Sequence, residues 1–142
     1  MGGIEKLFAG MRASSTGLTI ERTRIDTIAE NIANARTTQT PEGGAYRRKL
    51  VIFEPMLEEA MGSNASFGVA RPSVVEDMKT PFERVLDPSH PDAGEDGYVE
   101  LPNVNTVMEM ADLITAMRAY EANVTAQQNF VRMAERALEL LR

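Results

Sequence analysis

The sequence contains no cysteine and only one histidine, His90. A chain without cysteine has no disulfide, thiolate nucleophile or Cys-based zinc site, and one histidine cannot form a His-pair metal site. No apolar run approaches the ~20 residues needed to span a bilayer, and the N-terminus lacks the basic and apolar stretches of a cleavable secretory signal. Positive charge is also scarce, with 15 Lys and Arg against 21 Asp and Glu and a net charge of −6. This balance argues against nucleic acid as the main partner, because phosphate binding needs a local surplus of positive charge.

The 142 residues divide into three segments of different composition. All seven prolines lie between Pro41 and Pro102. Residues 37–104 carry six basic and twelve acidic side chains, so this middle accounts for the whole net charge of −6. We therefore predict an N-terminal helix over 1–36, a Pro- and Gly-rich acidic middle region over 37–104, and a C-terminal helix over 105–142, with both helices in one core domain.

Apolar side chains recur at seven-residue spacing in both terminal segments. Such columns are typical of long helices packed against other helices. Thr106, followed three residues later by Glu109, predicts a capping box at the start of the second helix. The predicted packing seam consists of Ile4, Leu7, Met11, Leu18, Ile25, Ile28 and Ile32 in the first helix, and of Met110, Leu113, Met117, Tyr120, Val124, Val131, Leu138 and Leu141 in the second.

The middle region is predicted to contain short β-strands. Residues 46–54 have the pattern of a strand bounded by glycines and a proline, and shorter candidates lie at 68–70, 74–76, 82–86 and 98–100. These strands would form one or two hairpins. The predicted fold class is therefore mainly α, with two long terminal helices packed as a coaxial, coiled-coil-like bundle and a small middle region containing β-hairpins.

Two arrangements would bury the packing seam. The helices either fold back on one another as an antiparallel hairpin within one chain, or pack against copies or relatives of themselves in an assembly. The polar residues Ser14, Glu21 and Gln127 in the middle of the columns weaken an isolated hairpin. Small residues on further columns of the second helix favour more than one helical neighbour. The residues alone leave both arrangements open.

Few residues are candidates for chemistry. His90 lies in the proline-bounded segment 87–92, where serine, histidine and aspartate are too close along the chain to form a catalytic triad, so a rigid turn is the better interpretation. Residues 92–97 resemble a calcium loop only superficially, because glycine stands at the third position. The basic cluster 47–49 is interpreted as a solvated strand edge, with pairing to the acidic middle of a neighbour as the alternative. We expect no enzymatic activity, cofactor, metal or small-molecule substrate.

Several blocks of the sequence resemble the bacterial flagellar axial proteins, the family of rod and hook subunits. They are AENIAN at 29–34, DPSHPDA at 87–93, GYV at 97–99, PNVN at 102–105 and RAYEANV at 118–124. The first block is similar to the signature that ends the first helix of axial proteins, and the others are similar to a proximal rod member. The motif residues taken from this resemblance are Asn31, Ile32, Asn34, His90, Pro91, Asp92, Pro102, Asn103, Asn105, Arg118, Tyr120 and Asn123.

The resemblance implies a structural subunit of the proximal rod of the flagellar basal body. Such subunits are exported by the flagellar type III apparatus without a cleaved signal peptide and polymerise into a helical tube around the export channel. The tube crosses the periplasm and transmits torque from the motor to the hook. The implied partners are copies of the chain, other proximal and distal rod proteins, the rod-base adaptor, the MS ring and the export apparatus, without membrane insertion. The resemblance also implies that the packing seam contacts neighbouring subunits, as a subunit-packing seam.

One alternative from a different class stays open on the residues alone. A self-contained cytoplasmic helical hairpin could serve as an adaptor or chaperone for a single partner, and it would be a compact, stable monomer. We also hypothesise that Asn31 and Asn34, one helical turn apart where the periodicity stops, attach the first helix to the middle region. Unchanged assembly and motility after replacement of both by alanine would refute that hypothesis.

Overall fold

The computed structural model describes residues 2–54 and 71–139, with side chains for 9–53 and 71–139. Outside the described side chains lie Ile4, Leu7 and Leu141 of the packing seam and the predicted strand at 68–70.

Two long helices make up most of the described chain. Helix α1 spans Gly2–Ala33 and helix α2 spans Thr106–Glu139. Between them, the described residues contain the strands β1 (Lys49–Glu54), β2 (Arg71–Glu76), β3 (Glu83–Leu86) and β4 (Tyr98–Leu101). The prediction of a mainly α fold, with two long terminal helices and a small β-containing middle region, is confirmed.

The described strands form two separate antiparallel hairpins. Strand β1 pairs with β2, with Lys49 opposite Glu76, and β3 pairs with β4. Strand β1 begins at Lys49, three residues later than predicted. The preceding residues bond elsewhere: the backbone N–H of Arg48 donates to Oδ1 of Asn103 at 2.7 Å. A side chain from another part of the chain thus takes the place of a strand partner.

Helices α1 and α2 run antiparallel and pack against each other. Asn31 near the end of α1 bonds to Glu109 near the start of α2, and Gly10 near the start of α1 lies against Phe130. Between these points the methyl group of Ala116 is 0% exposed. An antiparallel hairpin is therefore present within a single chain, and packing against further copies stays a prediction.

The start of α2 is capped by Asn105 and not by Thr106. Oδ1 of Asn105 accepts hydrogen bonds from the N–H groups of Val107 and Met108, both at 3.1 Å, which is the geometry of an N-cap. The carboxylate of Glu109 does not reach back to the cap, because it is buried and bonded to other parts of the fold. The predicted capping box is therefore wrong.

Neither α1 nor α2, as described, is long and apolar enough to cross a membrane.

Candidate functional site

Polar side chains are buried where α1 ends, β1 begins and α2 starts. A connected group of them, called the polar cluster below, consists of Asn31, Tyr46, Arg48, Asn103 and Glu109. Asn31 and Glu109 are each only 1% exposed. Because a buried polar group without a partner costs roughly 1–3 kcal/mol, the bonds within this cluster decide whether the arrangement is stable.

The side-chain amide of Asn31 uses all of its hydrogen-bonding capacity. Its Nδ2 donates to the backbone carbonyl of Lys49 at 2.9 Å and to Oε2 of Glu109 at 3.1 Å. Its Oδ1 accepts from the backbone N–H of Lys49 at 2.9 Å and from the hydroxyl of Tyr46 at 3.0 Å. The amide therefore pairs with the first residue of β1 as a neighbouring strand would, and only a group with both a donor and an acceptor can do this.

Glu109 carries the buried negative charge of the cluster. Its Oε1 accepts from Nε of Arg48 at 2.7 Å and lies 2.6 Å from Nη2 of the same guanidinium. The side chain of Arg48 is 27% exposed, so the cation reaches the buried carboxylate from the solvent side. This ion pair joins α2 to the chain just before β1, and its charge-assisted bonds are stronger than neutral ones.

Asn103 connects the polar cluster to the turn after β2. Its Oδ1 accepts from the backbone of Arg48, and its Nδ2 donates to the carbonyl of Thr80 at 3.0 Å and to that of Asp77 at 3.3 Å. The turn is itself ordered by Asp77, whose carboxylate accepts from the hydroxyl and N–H of Thr80 and the N–H of Lys79. These bonds, the hydroxyl of Thr80 first, lower the pKa of Asp77.

Tyr46 shows how closed the cluster is to solvent. Tyr46 is only 7% exposed, and its hydroxyl donates to Oδ1 of Asn31. Burial raises the pKa of Tyr46 to about 12, with a further contribution from the charges of Glu30, Glu109 and Glu76. The phenol therefore stays protonated, and able to donate, across the physiological pH range.

The basic cluster 47–49 is not a solvated strand edge. Arg48 enters the polar cluster, while Arg47 donates to the carbonyl of Asp77 at 3.0 Å and stacks over the ring of Phe82. Lys49 forms an ion pair with Glu30 on α1. That interpretation was wrong because sequence alternation shows that neighbours point to opposite faces, but not that helices cover one of them.

The predicted packing seam of α2 lies on two sides of the helix. The column at seven-residue spacing that contacts α1 contains Glu109, Ala116, Asn123 and Phe130. The predicted residues Leu113, Tyr120 and Val124 are half-buried. An exposed column, one residue further along the chain, consists of Met110 (53%), Met117 (47%), Val131 (40%) and Leu138 (67%).

On α1 the predicted seam residues whose side chains are described are largely covered. Met11, Leu18, Ile25 and Ile32 are half-buried, and Ile28 is 6% exposed. Whether any of the seam contacts another subunit stays a prediction.

Between the covered residues of α1 lies the acidic side chain of Glu21. Its Oε2 is buried and has no hydrogen-bond partner among the described residues. Nη1 of Arg24 lies 3.9 Å away, which is within ion-pair range but beyond a hydrogen bond. This carboxylate is therefore the least satisfied polar group described on α1.

The segment 87–92 forms a turn that contacts the chain just after α1. The hydroxyl of Thr38 donates to Oδ2 of Asp92 at 2.6 Å, and Nδ1 of His90 accepts from the N–H of Asp92 at 3.1 Å. Oδ1 of Asp87 accepts from the hydroxyl and N–H of Ser89, and these bonds lower the pKa of Asp87. The hydroxyl of Ser89 is thus bonded to a carboxylate and does not face His90 as a nucleophile would.

The remaining motif residues are spread over the fold. Asn34 bonds locally, donating to the carbonyl of Glu30 at 2.9 Å and accepting from the hydroxyl of Thr37 at 3.2 Å. Pro102 is buried before α2, Arg118 is exposed, and Asn123 faces α1. The structure therefore brings Asn31 and Asn103 together in the polar cluster, keeps His90, Pro91 and Asp92 in one turn, and leaves the other motif residues outside both groups.

Sequence reasoning missed three members of the polar cluster: Tyr46, Arg48 and Glu109. Tyr46 and Arg48 are two residues apart, so an extended chain places them on one face, and this was the available signal. The cluster can position the helices relative to the first hairpin. Among the described residues no group of three or more His, Asp or Glu side chains is gathered as a metal site requires.

Two family models match the chain. The model "Flagella basal body rod protein" matches residues 11–38, and the model "Flagellar basal body rod FlgEFG protein C-terminal" matches residues 95–140. These ranges contain most of α1 and the whole of α2 together with the chain that leads into it.

Three relatives, each named flagellar basal-body rod protein FlgC, cover nearly the whole chain. The protein of Borreliella burgdorferi is 43% identical over 95% of this chain and 97% of its own length. That of Bacillus subtilis is 38% identical over 94% and 97%, and that of Salmonella typhimurium is 34% identical over 89% and 92%.

Proposed function

This chain belongs to the FlgC family of flagellar basal-body rod proteins, and from that membership we propose that it is a proximal rod subunit that polymerises into a helical tube across the periplasm. As a member of the family it is a structural subunit of the flagellar basal-body rod. The finer role includes surrounding the export channel and transmitting torque from the motor to the hook.

The exposed column of α2 is the observation that carries this proposal. Helix α1 covers one face of α2, while Met110, Met117, Val131 and Leu138 remain 40–67% exposed on another. Burying a large apolar side chain contributes about 1.5–3 kcal/mol, so a helical neighbour on this face would add substantial stability. A subunit of an assembly provides such a neighbour at every copy.

The polar cluster supports the mechanical part of the proposal. It joins the helices to the first hairpin through directed hydrogen bonds and one buried ion pair. A force on the middle region would therefore reach both helices through Asn31 and Glu109. In this role the middle region lies outside the helical core.

The partners follow from the position in the rod. Copies of this chain and other proximal and distal rod proteins would contact the helices, while the rod-base adaptor and the MS ring would lie at the inner end. Delivery would proceed through the flagellar type III apparatus. We propose no nucleic acid, no membrane insertion, no small-molecule substrate and no catalysis for this role.

Glutamate substitutions on the exposed column test the proposal. Met110→Glu combined with Met117→Glu should abolish motility and completed rods in a flagellated strain whose own copy carries the change. The purified chain should keep its free energy of unfolding to within about 0.5 kcal/mol, since both side chains are half exposed in the monomer.

Met78→Glu is the matched control, because Met78 is 75% exposed and lies in the middle region. It should leave motility unchanged. Complete rods and normal swimming in the Met110→Glu, Met117→Glu strain would exclude the exposed column as an assembly surface.

A further inference from the structure

Two glycines in the first half of α1 lie directly against side chains of α2. A Cβ on Gly10 would lie 2.5 Å from Cζ and 2.7 Å from Cε1 of Phe130. A Cβ on Gly17 would lie 2.8 Å from Nδ2 of Asn123. Carbon atoms in contact normally keep a separation of about 3.5–4.0 Å, so any other residue type at either position would displace the side chain of Phe130 or Asn123.

Both glycines weaken α1 as an isolated helix. Glycine in a helix interior lowers the helical equilibrium by about fivefold relative to alanine, because it leaves the unfolded backbone more freedom. Two such residues within one helix would be unfavourable if they had no compensating contact. The close approach of Phe130 and Asn123 is that contact.

The two contacts share one register with the polar cluster. Gly10 and Gly17 are seven residues apart on α1, and their partners Phe130 and Asn123 are seven residues apart in the opposite direction on α2. The hydrogen-bonded pair Asn31 and Glu109 follows the same spacing: Asn31 is fourteen residues after Gly17 on α1, and Glu109 is fourteen residues before Asn123 on α2. One face of α1 therefore meets one face of α2 over the whole distance.

We propose that Gly10 and Gly17 are specificity-determining residues that select the face of α2 carrying Phe130 and Asn123 as the first neighbour of α1. They form two notches in α1 that admit Phe130 and Asn123. The ring of Phe130 is half-buried against its own α1, while the exposed column of α2 points elsewhere. Own-chain pairing is selected because the polar cluster, at the other end of the same register, connects both helices through the middle region of the same chain.

Replacing a glycine by alanine should change the equilibrium constant of unfolding in opposite directions, depending on whether the glycine forms a notch or lies in an open helix. In an open helix, Gly10→Ala would lower the equilibrium constant of unfolding about fivefold. In the notch it should raise that constant at least fivefold, because overpacking forces Phe130 out of place. Urea unfolding of the full chain, followed by circular dichroism, measures the change. Gly17→Ala should act in the same direction.

A second substitution keeps the test decisive if Gly10→Ala does not fold. Phe130→Leu removes the ring that occupies the notch, so adding Gly10→Ala to Phe130→Leu should now lower the unfolding constant about fivefold. Ser15→Ala, at an exposed position of α1, is the control and should not raise the unfolding constant in either background.

Own-chain pairing also requires that the effects be independent of protein concentration. The same constants should be measured over a hundredfold range of chain concentration, since an intramolecular contact does not depend on it. Stabilisation by Gly10→Ala in both backgrounds would overturn the proposal. So would a Gly10→Ala, Phe130→Leu variant that fails to fold, or an unfolding constant that falls as the chain concentration rises.

Discussion

The two ends of the helical hairpin are held together by different forces. Next to the strands, Asn31 and Glu109 are almost completely buried and connect to each other by a directed hydrogen bond. At the far end, Gly10 admits the ring of Phe130, and the contact depends on shape alone. The comparison separates two tasks: the polar end orients the helices relative to the first hairpin, and the packed end sets how closely the helices approach.

The difference also concerns what each end tolerates. An apolar contact can relax around a changed side chain, but a buried polar group that loses its partner loses the full interaction and regains no water. We therefore expect changes at the polar end to be the more damaging.

Glu109→Ala should have the largest effect on the monomer. It leaves Nδ2 of Asn31 with one partner fewer and the guanidinium of Arg48 without its carboxylate. Removing one member of a buried pair costs several kcal/mol. Because Arg48 is 27% exposed and water can partly solvate its charge, we expect the free energy of unfolding in urea to fall by about 3 kcal/mol. Hydrogen exchange should increase first at β1 and at the adjoining ends of both helices.

Glu121→Ala is the matched control, because Glu121 is exposed on the same helix. Its free energy of unfolding should stay within about 0.5 kcal/mol of the parent chain. Equal effects of the two substitutions would show that the polar end has no special role, and the comparison between the two ends would fail.

The helices could be predicted from the sequence because their signal is local. Columns such as Ile25 and Ile32 repeat within one element, so both helices and their approximate limits follow from spacing. The strands were predictable for the same reason, since glycines and prolines bound them. What spacing does not reveal is which column meets which neighbour: Met110 is exposed, whereas Glu109 beside it is buried.

The polar cluster was not predictable from the sequence because its contacts are distant along the chain. Asn31 and Glu109 are separated by 78 positions, and neither has a local feature that indicates the other. The position of Glu109 near a helix start favoured a capping role, but burial against Asn31 and Arg48 outweighed that preference. Motif resemblance pointed to Asn31 and Asn103 without indicating what they contact.

Alkaline pH should loosen the polar end through Tyr46. The unfolded chain loses the phenolic proton near the ordinary pKa of 10.0, but the folded chain holds it until about 12. Deprotonation therefore favours the unfolded state, and the contribution of Tyr46 to stability is complete below pH 10 and is lost as pH rises toward 12. The loss should total about 3 kcal/mol at most, because the pKa differs by two units between the folded and unfolded chain and each unit corresponds to roughly 1.4 kcal/mol.

Tyr46→Phe isolates this effect from the other groups that titrate at high pH. The variant should be less stable than the parent at neutral pH, because Asn31 loses the hydroxyl donor, but the two stability curves should converge as pH rises. Parallel curves between pH 9 and 12 would show that the phenol of Tyr46 is not protected, and that the polar end is more open to water than its geometry indicates.

Glu21→Leu should have the smallest effect, and of opposite sign. Glu21 lies between the two ends, where its Oε2 is buried without a hydrogen-bond partner among the described residues and Arg24 remains 3.9 Å away. Replacing an unpartnered polar group by an apolar one removes a desolvation cost, so the free energy of unfolding should rise by about 1 kcal/mol in urea. Asp26→Leu, at an exposed position of α1, should give no such rise. An unchanged or lower value for Glu21→Leu would mean that the carboxylate stabilises the monomer, and the division of the hairpin into a polar end and a packed end would have to include a second polar contact at its centre.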